Sequence, residues 1–243
     1  MILIRLFVTL VAVLAASATA AQCRDEVHEN KSFTICQAHM GQDLRLFHTN
    51  AEGVPFGQFF TLSNTLKARA KQLLFAMNGG MYHPDLSPVG HYIEKGVEKQ
   101  RVITSEGPGN FGMLPNGVLC INDQIVKVFE TNNYLSSAQN CNYATQSGPM
   151  LVINGRLHPR FIKDSTSLNI RNGVSVDGDN VYFVISNDRI NLHSFATFFR
   201  DRLNAQNALY LDGKVSRLYA PNLGRSDFGW PIGPIVGLVA DLK

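Results

Sequence analysis

The sequence predicts an α+β protein: a single domain with a mixed sheet rich in hairpins, few helices and one strand–helix–strand crossover. Three observations lead to this prediction. Short runs of alternating apolar and polar residues recur along the chain, separated by Asn, Asp and Gly residues that favour turns. One clear helical pattern lies between two apolar strands. No repeat of 20–50 residues and no low-complexity linker divides the 243 residues, which therefore predict one domain after an N-terminal segment.

Composition excludes several classes of protein. Hydrophobic residues make up 45% of the chain and charged residues 17%, which is enough apolar material for a core and unlike a disordered chain. There is neither a Gly-X-Y nor a heptad period. The net charge of +3 falls to +2 without the N-terminal segment, which carries Arg5 and no acid. This charge is too small to predict nucleic-acid binding, whose affinity grows with each cation placed on one face.

Residues 1–21 are expected to be a signal peptide, and residues 22–243 the mature domain. Arg5 is followed by an apolar run at 6–16 and by the small-x-small cleavage pattern Ala18-Thr19-Ala20. A membrane anchor and a lipoprotein signal at Cys23 are the alternatives. A membrane span needs about 20 apolar residues, and bulky Gln22 precedes the cysteine. We therefore predict a periplasmic or secreted protein with no membrane span after signal removal.

The four cysteines form an even set that suits an oxidising compartment. No C-x-x-C pair indicates a zinc site. Of the three connectivities, we expect Cys23–Cys36 and Cys120–Cys141, which close local loops, with one bridge and two buried thiols as the alternative. Each bridge would stabilise the fold by roughly 3 kcal/mol, because it restricts the unfolded chain.

The N-terminal half predicts strands at 32–38 and 43–48, joined at Met40-Gly41. A helix is expected over 60–71, where Leu62 and Leu66 share one face, followed by a buried strand at 73–77. Residues 79–115 contain many Pro and Gly residues interleaved with His and aromatic residues. Loops of this length are usually functional or disordered, and this composition favours an ordered loop that builds a site.

Hairpins dominate the C-terminal half. Asn154-Gly155 separates strands at 150–153 and 156–158, and is a strong signal because both turn positions need positive φ. Further hairpins pair 118–121 with 125–129 and 174–176 with 181–185, the latter with Asp177 at its tip. The clear helix covers 194–203, with Ser194 as its N-cap, and leads to a strand at 208–211.

Glycines and polar residues lie where predicted strands end. Asn78-Gly79-Gly80 follows one strand and Asp212-Gly213 another, whereas Gln146-Ser147-Gly148-Pro149 precedes a third. Ligands tend to bind beyond the carboxyl ends of strands, although ordinary turns favour the same residue types. Motifs for nucleotide binding, zinc proteolysis and a serine nucleophile elbow are missing, and the seven histidines lack metal-ligand spacing.

Four motifs in order resemble those of the phosphodiester glycosidase family, which includes the domain of the lysosomal uncovering enzyme. They are FAMNGGMY at 75–82, ATQSGPML at 144–151, Arg171-Asn172-Gly173 and Leu211-Asp212-Gly213. The similarity extends from about residue 30 to the C-terminus. After the last motif, the better-studied members of the family have a run that resembles Gly-Gly-Ser-Ser. This chain has Lys214-Val215-Ser216-Arg217 there, which places larger side chains beside the site.

The resemblance implies a hydrolase acting on a glycosyl-1-phosphate phosphodiester, either a small molecule or a glycan. Because phosphate leaves as a weakly basic anion, the site must mainly supply a cation for the phosphate and a carboxylate near the sugar. We expect Arg171 to hold the phosphate through its guanidinium fork, with a structural salt bridge as the alternative. Asp212 is expected to act as acid/base, nucleophile or stabiliser of an oxocarbenium ion.

Other residues are expected to line this site. Glu94 in the long loop is the candidate second carboxylate, and His91 a residue of the sugar pocket. Trp230, the only tryptophan, either stacks on a sugar or packs in the core. Backbone amide or polar side-chain groups for the substrate are expected from Asn78, Gly79, Gly80, Ser147, Gly148 and Gly213. The sequence requires no cofactor and leaves a divalent cation open.

Two alternative functions use the same loops. One is a non-catalytic exported module that binds an anionic glycan or a partner protein. The other is a metal-dependent phosphodiesterase that breaks the P–O bond. Such an enzyme normally holds its cation with several carboxylates, and here only Asp212 and Glu94 are candidate donors.

Overall fold

The computed structural model describes residues 23–242, so the expected signal peptide at 1–21 lies outside the described residues. The strands are β1 (Cys23–His28), β2 (Lys31–His39), β3 (Asp43–Phe47), β4 (Lys71–Asn78), β5 (Tyr92–Glu94), β6 (Val97–Gln100), β7 (Gly117–Ile121), β8 (Val126–Glu130), β9 (Tyr143–Ser147), β10 (Met150–Ile153), β11 (Arg156–Leu157), β12 (Asn172–Asp177), β13 (Asn180–Ser186), β14 (Ala208–Asp212), β15 (Leu218–Ala220), β16 (Arg225–Ser226) and β17 (Ile235–Asp241). The helices are α1 (Phe59–Lys67), α2 (Thr131–Ser136) and α3 (Leu192–Thr197), and α3 continues as a π-helical turn over Phe198–Arg202.

The largest sheet contains seven strands in the order β1-β2-β13-β12-β14-β10-β11. Its β12–β13 hairpin pairs Asp177 with Asn180, so Asp177 lies at the hairpin tip as predicted. β14 lies beside β12, and Asp212 at the end of β14 is paired with Asn172. This register brings the third and fourth sequence motifs together.

The second sheet has the order β16-β15-β4-β17-β3. Because β3 and β4 are both antiparallel to β17, they are parallel to each other, and α1 connects them as a crossover. The same logic applies to β13 and β14, which flank β12 and are joined through α3. The predicted crossover at α3 is therefore present, and α1 forms another that the sequence analysis did not predict.

The third sheet has the order β6-β5-β9-β7-β8. Its central strand β9 ends at Ser147, which is paired with Gly117. From the sequence, the motif at 146–149 is expected only before a strand. The structure shows that this motif also ends one, so each of the three glycine-containing motifs at 78–80, 146–149 and 212–213 follows a strand.

The main core lies where the three sheets face one another, and side chains from all three contribute to it. Phe75 and Phe183, from the second and first sheets, pack with ring centroids 5.5 Å apart. A second core lies under α3, where Phe198 stacks on Phe33 of β2 at 4.0 Å. Burying each such ring stabilises the fold by roughly 1.5–3 kcal/mol, so α3 is held firmly against the largest sheet.

The predicted α+β class with a single hairpin-rich domain is confirmed. In one detail the architecture differs from the prediction of one mixed sheet. The strands form three sheets, and every pair among the named strands is antiparallel. Parallel strands occur only as second neighbours, because each crossover helix skips over an intervening strand.

The two predicted helices are present with shifted ends. α1 ends at Lys67 rather than 71, because Ala70 has a positive φ of 53° and the chain enters β4. α3 begins with Asn191 as its N-cap rather than Ser194, since Asn191 Oδ1 accepts a hydrogen bond from the Ser194 amide at 2.9 Å. No helix within residues 23–242 is both long and apolar enough to cross a membrane.

Both expected disulfides are present. Cys23–Cys36 joins paired residues of β1 and β2, and Cys120–Cys141 ties β7 to the segment before β9. Within the described residues no cysteine is free. Such bridges persist in oxidising compartments, which fits the predicted export.

Candidate active site

Asp212, the last residue of β14, is buried and held by several hydrogen bonds. Only 7% of the residue is exposed. Its Oδ1 accepts hydrogen bonds from the backbone amides of Gly213 at 2.5 Å and Lys214 at 3.1 Å. Its Oδ2 accepts one from Asn78 Nδ2 at 3.1 Å. The turn after β14 and the end of β4 thus fix the carboxyl group in one orientation.

Burial raises the pKa of Asp212 above the ordinary aspartate value of 3.8, because the charged form loses hydration. The backbone amides of Lys214 and Gly213 and the Asn78 amide act in the opposite direction, since each hydrogen bond favours the carboxylate. Desolvation is the larger effect. The site therefore contains an acid that holds its proton more tightly than an exposed aspartate.

Two asparagines connect Asp212 to its surroundings. Asn78 Oδ1 accepts a hydrogen bond from the Arg217 amide at 2.8 Å, so one side chain contacts both Asp212 and the Arg217 backbone. Asn172 Nδ2 donates to the Asn78 carbonyl at 2.9 Å. Ser216 Oγ lies 2.7 Å from the Asp212 carbonyl and 3.1 Å from Asn172 Oδ1. This polar network includes residues of three of the four motifs.

Glycines in the motifs allow close packing. A Cβ at Gly213 would lie 1.4 Å from the hydroxyl of Tyr210, and one at Gly79 would lie 2.8 Å from the Val236 amide. The amide of Gly79 donates to the Pro234 carbonyl at 2.7 Å. In this structure Gly79 thus uses its amide to bind the protein rather than presenting it to a ligand.

Residues in and around the second motif form hydrogen bonds to the first and fourth motifs. Ser147 is fully buried, and its hydroxyl donates to the Leu211 carbonyl at 3.0 Å. Thr145 Oγ1 donates to the Gly79 carbonyl at 2.7 Å and contacts the position of Gly80. Gly148 packs against Asn116, where a Cβ would approach to 2.6 Å. These residues lie near Asp212 in the chain's hydrogen-bond network but do not line its pocket.

A pocket of about 730 Å³ opens above Asp212. Its walls come largely from the long loop at 79–115, as the sequence analysis predicted, and from the turn after β14. Aromatic and apolar side chains predominate, among them Met81, Tyr82, Val89, Ile103 and Phe111. The volume and this lining are typical of a small-molecule site.

A second cavity of about 750 Å³ lies on the other side of the same turn. Lys214 and Val215 line both cavities and therefore separate them. We call this second cavity the basic cleft, because its wall carries four cations and one acid: Arg189, Lys214, Arg217, Arg225 and Asp227. Trp230 and Phe228 form its rim and are 80% and 88% exposed. Trp230 is thus not a core residue.

Arg171 lies in a different environment from the one expected. It is 1% exposed, and its three guanidinium nitrogens donate to the carbonyls of Ile190 and Ser167 and to the hydroxyl of Tyr210 at 2.7–2.8 Å. The guanidinium lies behind Gly213, and it borders a separate cavity of about 210 Å³ rather than the Asp212 pocket. Its nitrogens are occupied by protein acceptors, which come from the chain before β12, the chain after β13 and Tyr210 of β14.

Glu94 and His91 do not line the Asp212 pocket either. Glu94 is 6% exposed and pairs with Lys99 at 2.8 Å. His91 is buried, with its ring nitrogens 2.9 Å from the Gln100 carbonyl and 3.0 Å from the Tyr134 hydroxyl. Burial lowers the pKa of His91, against the opposing effects of the Gln100 carbonyl and of Glu98, whose carboxylate lies 3.5 Å from Nδ1. Both residues face away because the β5–β6 hairpin packs into the third sheet.

Glu106 is the carboxylate that the sequence analysis missed. It lines the same pocket as Asp212, in the loop that faces the β14 turn. Its side chain is 74% exposed and lies 3.8 Å from Arg160. No motif marks this position, since the segment Ser105–Gly109 has only the composition of a flexible turn.

Tyr82 connects the pocket with the basic cleft electrostatically. It lines the pocket, and its hydroxyl donates to the Pro231 carbonyl at 3.1 Å. Burial and the negative charge of Asp212 raise the pKa of Tyr82 to about 12, while Arg217 lowers it. Tyr82 is therefore a neutral phenol near both Asp212 and Arg217.

Across residues 23–242 no three His, Cys, Asp or Glu side chains are grouped as metal ligands.

Comparison with known proteins assigns the chain to a family. A family model described as phosphodiester glycosidase matches residues 71–237. The chain belongs to the phosphodiester glycosidase family. This match covers all four motifs and both asparagines that contact Asp212 or its network. The similarity stated from the motifs is thereby confirmed, and the family supports a hydrolase-like role.

Relatives of this family member share its sequence or its fold. It is 31% identical to the uncharacterized protein YigE of Escherichia coli (strain K12) over 215 residues, covering 88% of this chain and 83% of that protein. Zebrafish N-acetylglucosamine-1-phosphodiester alpha-N-acetylglucosaminidase, whose catalytic domain is auto-inhibited by its pro-peptide, has a similar structure with a TM-score of 0.59. The identity is 14%, over 92% of this chain and 84% of that one.

A hypothetical protein from Synechocystis gives a comparable match, with a TM-score of 0.58 and 14% identity. It covers 90% of this chain and 62% of that one. At these identities the two structures establish that the family member shares their fold.

Proposed function

We propose that this protein is an exported hydrolase that cleaves a glycosyl-1-phosphate phosphodiester, with Asp212 as its catalytic carboxylate. The observation that carries this proposal is the position of Asp212: a buried carboxyl group with fixed hydrogen bonds, lining an apolar pocket of about 730 Å³. Membership of the phosphodiester glycosidase family supports the reaction class.

The proposed reaction breaks the bond between the anomeric carbon and the phosphate oxygen. The bonding electrons leave with the phosphate monoester, and water supplies the hydroxyl group that ends on the sugar. Since the leaving phosphate is already a stabilised anion, its departure needs little protonation. The carboxylate is needed on the sugar side, where positive charge develops on the ring.

The hydrogen bonds of Asp212 suit this task. All its partners are N–H donors, which stabilise the ionised carboxylate when substrate is bound. Oδ2 accepts a single bond from Asn78, which leaves acceptor capacity for the substrate. We infer that Asp212 acts in its ionised form, as nucleophile or as stabiliser of the oxocarbenium ion.

Glu106 is the proposed second carboxylate, in place of Glu94. It lines the pocket that Asp212 lines, whereas Glu94 is paired with Lys99 in the third sheet. Its exposure allows Glu106 to exchange protons with solvent, as activation of a water molecule requires. Tyr82 and Phe111 offer flat apolar surfaces for a sugar ring in the same pocket.

The test is turnover of a panel of sugar-1-phosphate diesters by wild type and Asp212→Asn. We expect the variant to lose at least about a thousandfold in kcat, because among the described residues of the lining Asp212 is the one buried carboxylate. Its melting temperature should change by only a few degrees, because two effects oppose each other. Asparagine removes the cost of burying a charged carboxylate, but it places an amide group opposite the Asn78 amide. Full activity of the folded variant would contradict the mechanism.

The position of bond cleavage is checked by running the reaction in water labelled with heavy oxygen. Under the proposed mechanism the label enters the released sugar. A label in the phosphate instead would indicate P–O cleavage, as by the metal-dependent alternative.

A non-catalytic module is the second candidate function. The observation that favours it is the turn at Lys214 and Val215, whose side chains stand between the two cavities. Binding of phosphodiesters from the same panel without release of product would support this module over the enzyme.

A further inference from the structure

The basic cleft contains more positive charge than its own acids neutralise. Asp227 pairs with Arg225 at 2.9 Å. Arg189, Lys214 and Arg217 have no carboxylate within 4.0 Å among the described residues. Clefts lined by one sign of charge concentrate ligands of the opposite sign. The cleft therefore has the electrostatic character of a site for an anion.

Arg217 has a guanidinium nitrogen without a hydrogen-bond partner. The residue is 7% exposed and lines the cleft, and its Nη1 is a buried donor that bonds no acceptor within residues 23–242. Burial lowers its pKa from the usual arginine value, whereas Tyr82, Asp227 and Asp212 act to raise it. A buried donor without a partner is costly, and a charge-assisted bond to an anion removes this cost.

The segment over Arg217 leaves room for its fork. Gly229 lies directly against the guanidinium, where a Cβ would approach Nη2 to 2.6 Å. The flanking Phe228 and Trp230 point into solvent at the rim of the cleft. A ligand bound at Arg217 would therefore lie next to two exposed aromatic faces, which suit a ring or a chain of carbons.

Arg217 is also coupled to the carboxyl group of Asp212. Asn78 donates to Asp212 and accepts from the Arg217 amide, so the two residues are held by the same side chain. Both influence the pKa of Tyr82, which places all three within electrostatic range. The turn at 214–215 separates the pocket from the cleft by the width of two residues.

We infer that Arg217, rather than Arg171, holds the phosphate of the substrate, and that the basic cleft receives the group esterified to it. This inference rests on the proposed function for the placement of the sugar in the Asp212 pocket. Arg217 would donate its unpartnered Nη1 to a phosphate oxygen, with Lys214 neutralising the remaining charge. The aglycone would then extend toward Trp230 at the rim.

Titration calorimetry with phenyl phosphate tests the inference without turnover. We expect the wild type to bind this probe and Arg217→Gln to bind it about ten- to a hundredfold more weakly, the effect of losing a charge-assisted hydrogen bond. Arg200→Gln is the matched control, since Arg200 pairs with Asp201, lines neither cavity and should leave the affinity unchanged.

Arg217→Lys keeps the charge but not the fork, and an affinity between those of wild type and Arg217→Gln would support the inference. It also serves if the glutamine variant does not fold. Wild-type affinity in either folded Arg217 variant would overturn the inference, as would the absence of binding to the wild type at millimolar probe.

Asp212→Asn separates this inference from the proposed function. Because the variant removes a negative charge near the phosphate, it should bind phenyl phosphate at least as tightly as the wild type. Loss of binding in the folded variant would count against a phosphate held by Arg217. Retained turnover in that variant would contradict the mechanism alone and leave the phosphate site supported by its own binding data.

Discussion

Arg171 and Arg217 show how differently one residue type is used on the two sides of the β14 turn. Arg171 lies behind Gly213 in a closed layer, where its guanidinium donates to three protein acceptors. Arg217 lines an open cleft, and its Nη1 has no partner among the described residues. Both are buried, at 1% and 7% exposure, so burial alone does not distinguish them.

The comparison separates the frame of the site from its ligand-facing surface. Of the motif residues, Asn78 contacts the Asp212 carboxyl group directly. The side chains of Ser147, Arg171 and Asn172 bond mainly to backbone carbonyls and connect the segments around it. Most residues that face the two cavities lie outside the motifs, and the exceptions are Met81, Tyr82, Asp212 and Gly213. A polar residue in a motif can thus serve catalysis by positioning others.

The largest expected effect is a loss of stability in Arg171→Gln. Glutamine reaches at most one of the three acceptors, so unfolding should become easier by about 3 kcal/mol, or roughly 6–12 °C in Tm. Arg217→Gln should stay within about 1 kcal/mol of wild type, because the Arg217 side chain makes no hydrogen bond to the part of the protein that the structure describes. Calorimetric unfolding of both variants measures the difference. An Arg171 variant that melts normally but loses phenyl phosphate would reverse the assignment of the two arginines.

A smaller effect is expected on activity from the two candidate second carboxylates. Glu106→Gln should lower kcat/KM at least about tenfold, because its carboxylate lines the pocket with Asp212. Glu94→Gln, the matched substitution in the frame, should change kcat/KM less than about twofold and cost up to about 1 kcal/mol through its partly exposed partner Lys99. Steady-state kinetics on a diester cleaved by the wild type decides between them. A larger loss of kcat/KM in Glu94→Gln than in Glu106→Gln would instead identify Glu94 as the second carboxylate.

The smallest expected effect is the pH dependence that Asp212 gives to stability. Its pKa is raised in the folded state, so between 3.8 and that raised value the folded protein binds more protons than the unfolded chain. Stability of the wild type should therefore fall as pH rises through this window and then level off. Asp212→Asn lacks this contribution, so its Tm relative to wild type should increase with pH over the same window. Parallel Tm profiles would show that Asp212 is not desolvated as the structure has it.

Local signals in the sequence predicted much of the fold. Asn154-Gly155 marked a hairpin because of its positive φ angles, and the two disulfides followed from the spacing of four cysteines. The strand β17 was not predicted, since Ile235–Asp241 shows no alternation of apolar and polar residues and contains Gly237, although Gly233-Pro234 precede it. Its identity as the strand between β3 and β4 depends on pairing far along the chain.

The site was predicted in part. Asp212 and Asn78 came together as expected, because both end strands whose registers bring them to one edge. Arg171 was expected to hold phosphate from its chemistry, yet a guanidinium serves carbonyl acceptors equally well, and only the surroundings decide which it meets. Glu106 lies in the long loop that was expected to build a site, and Arg217 ends the run that departs from the family, but no motif marked either residue itself.

The sequence by itself determined the α+β class, the family and the choice of Asp212 as the candidate carboxylate. Hydrophobic alternation, turn residues and ordered motifs are properties of residues that are close together in the chain. Only the tertiary structure decided which charged groups face a cavity and which form hydrogen bonds to other protein groups in the interior. The physical reason is that hydrogen bonding and desolvation depend on every neighbour in space, and most of those neighbours are distant in the chain.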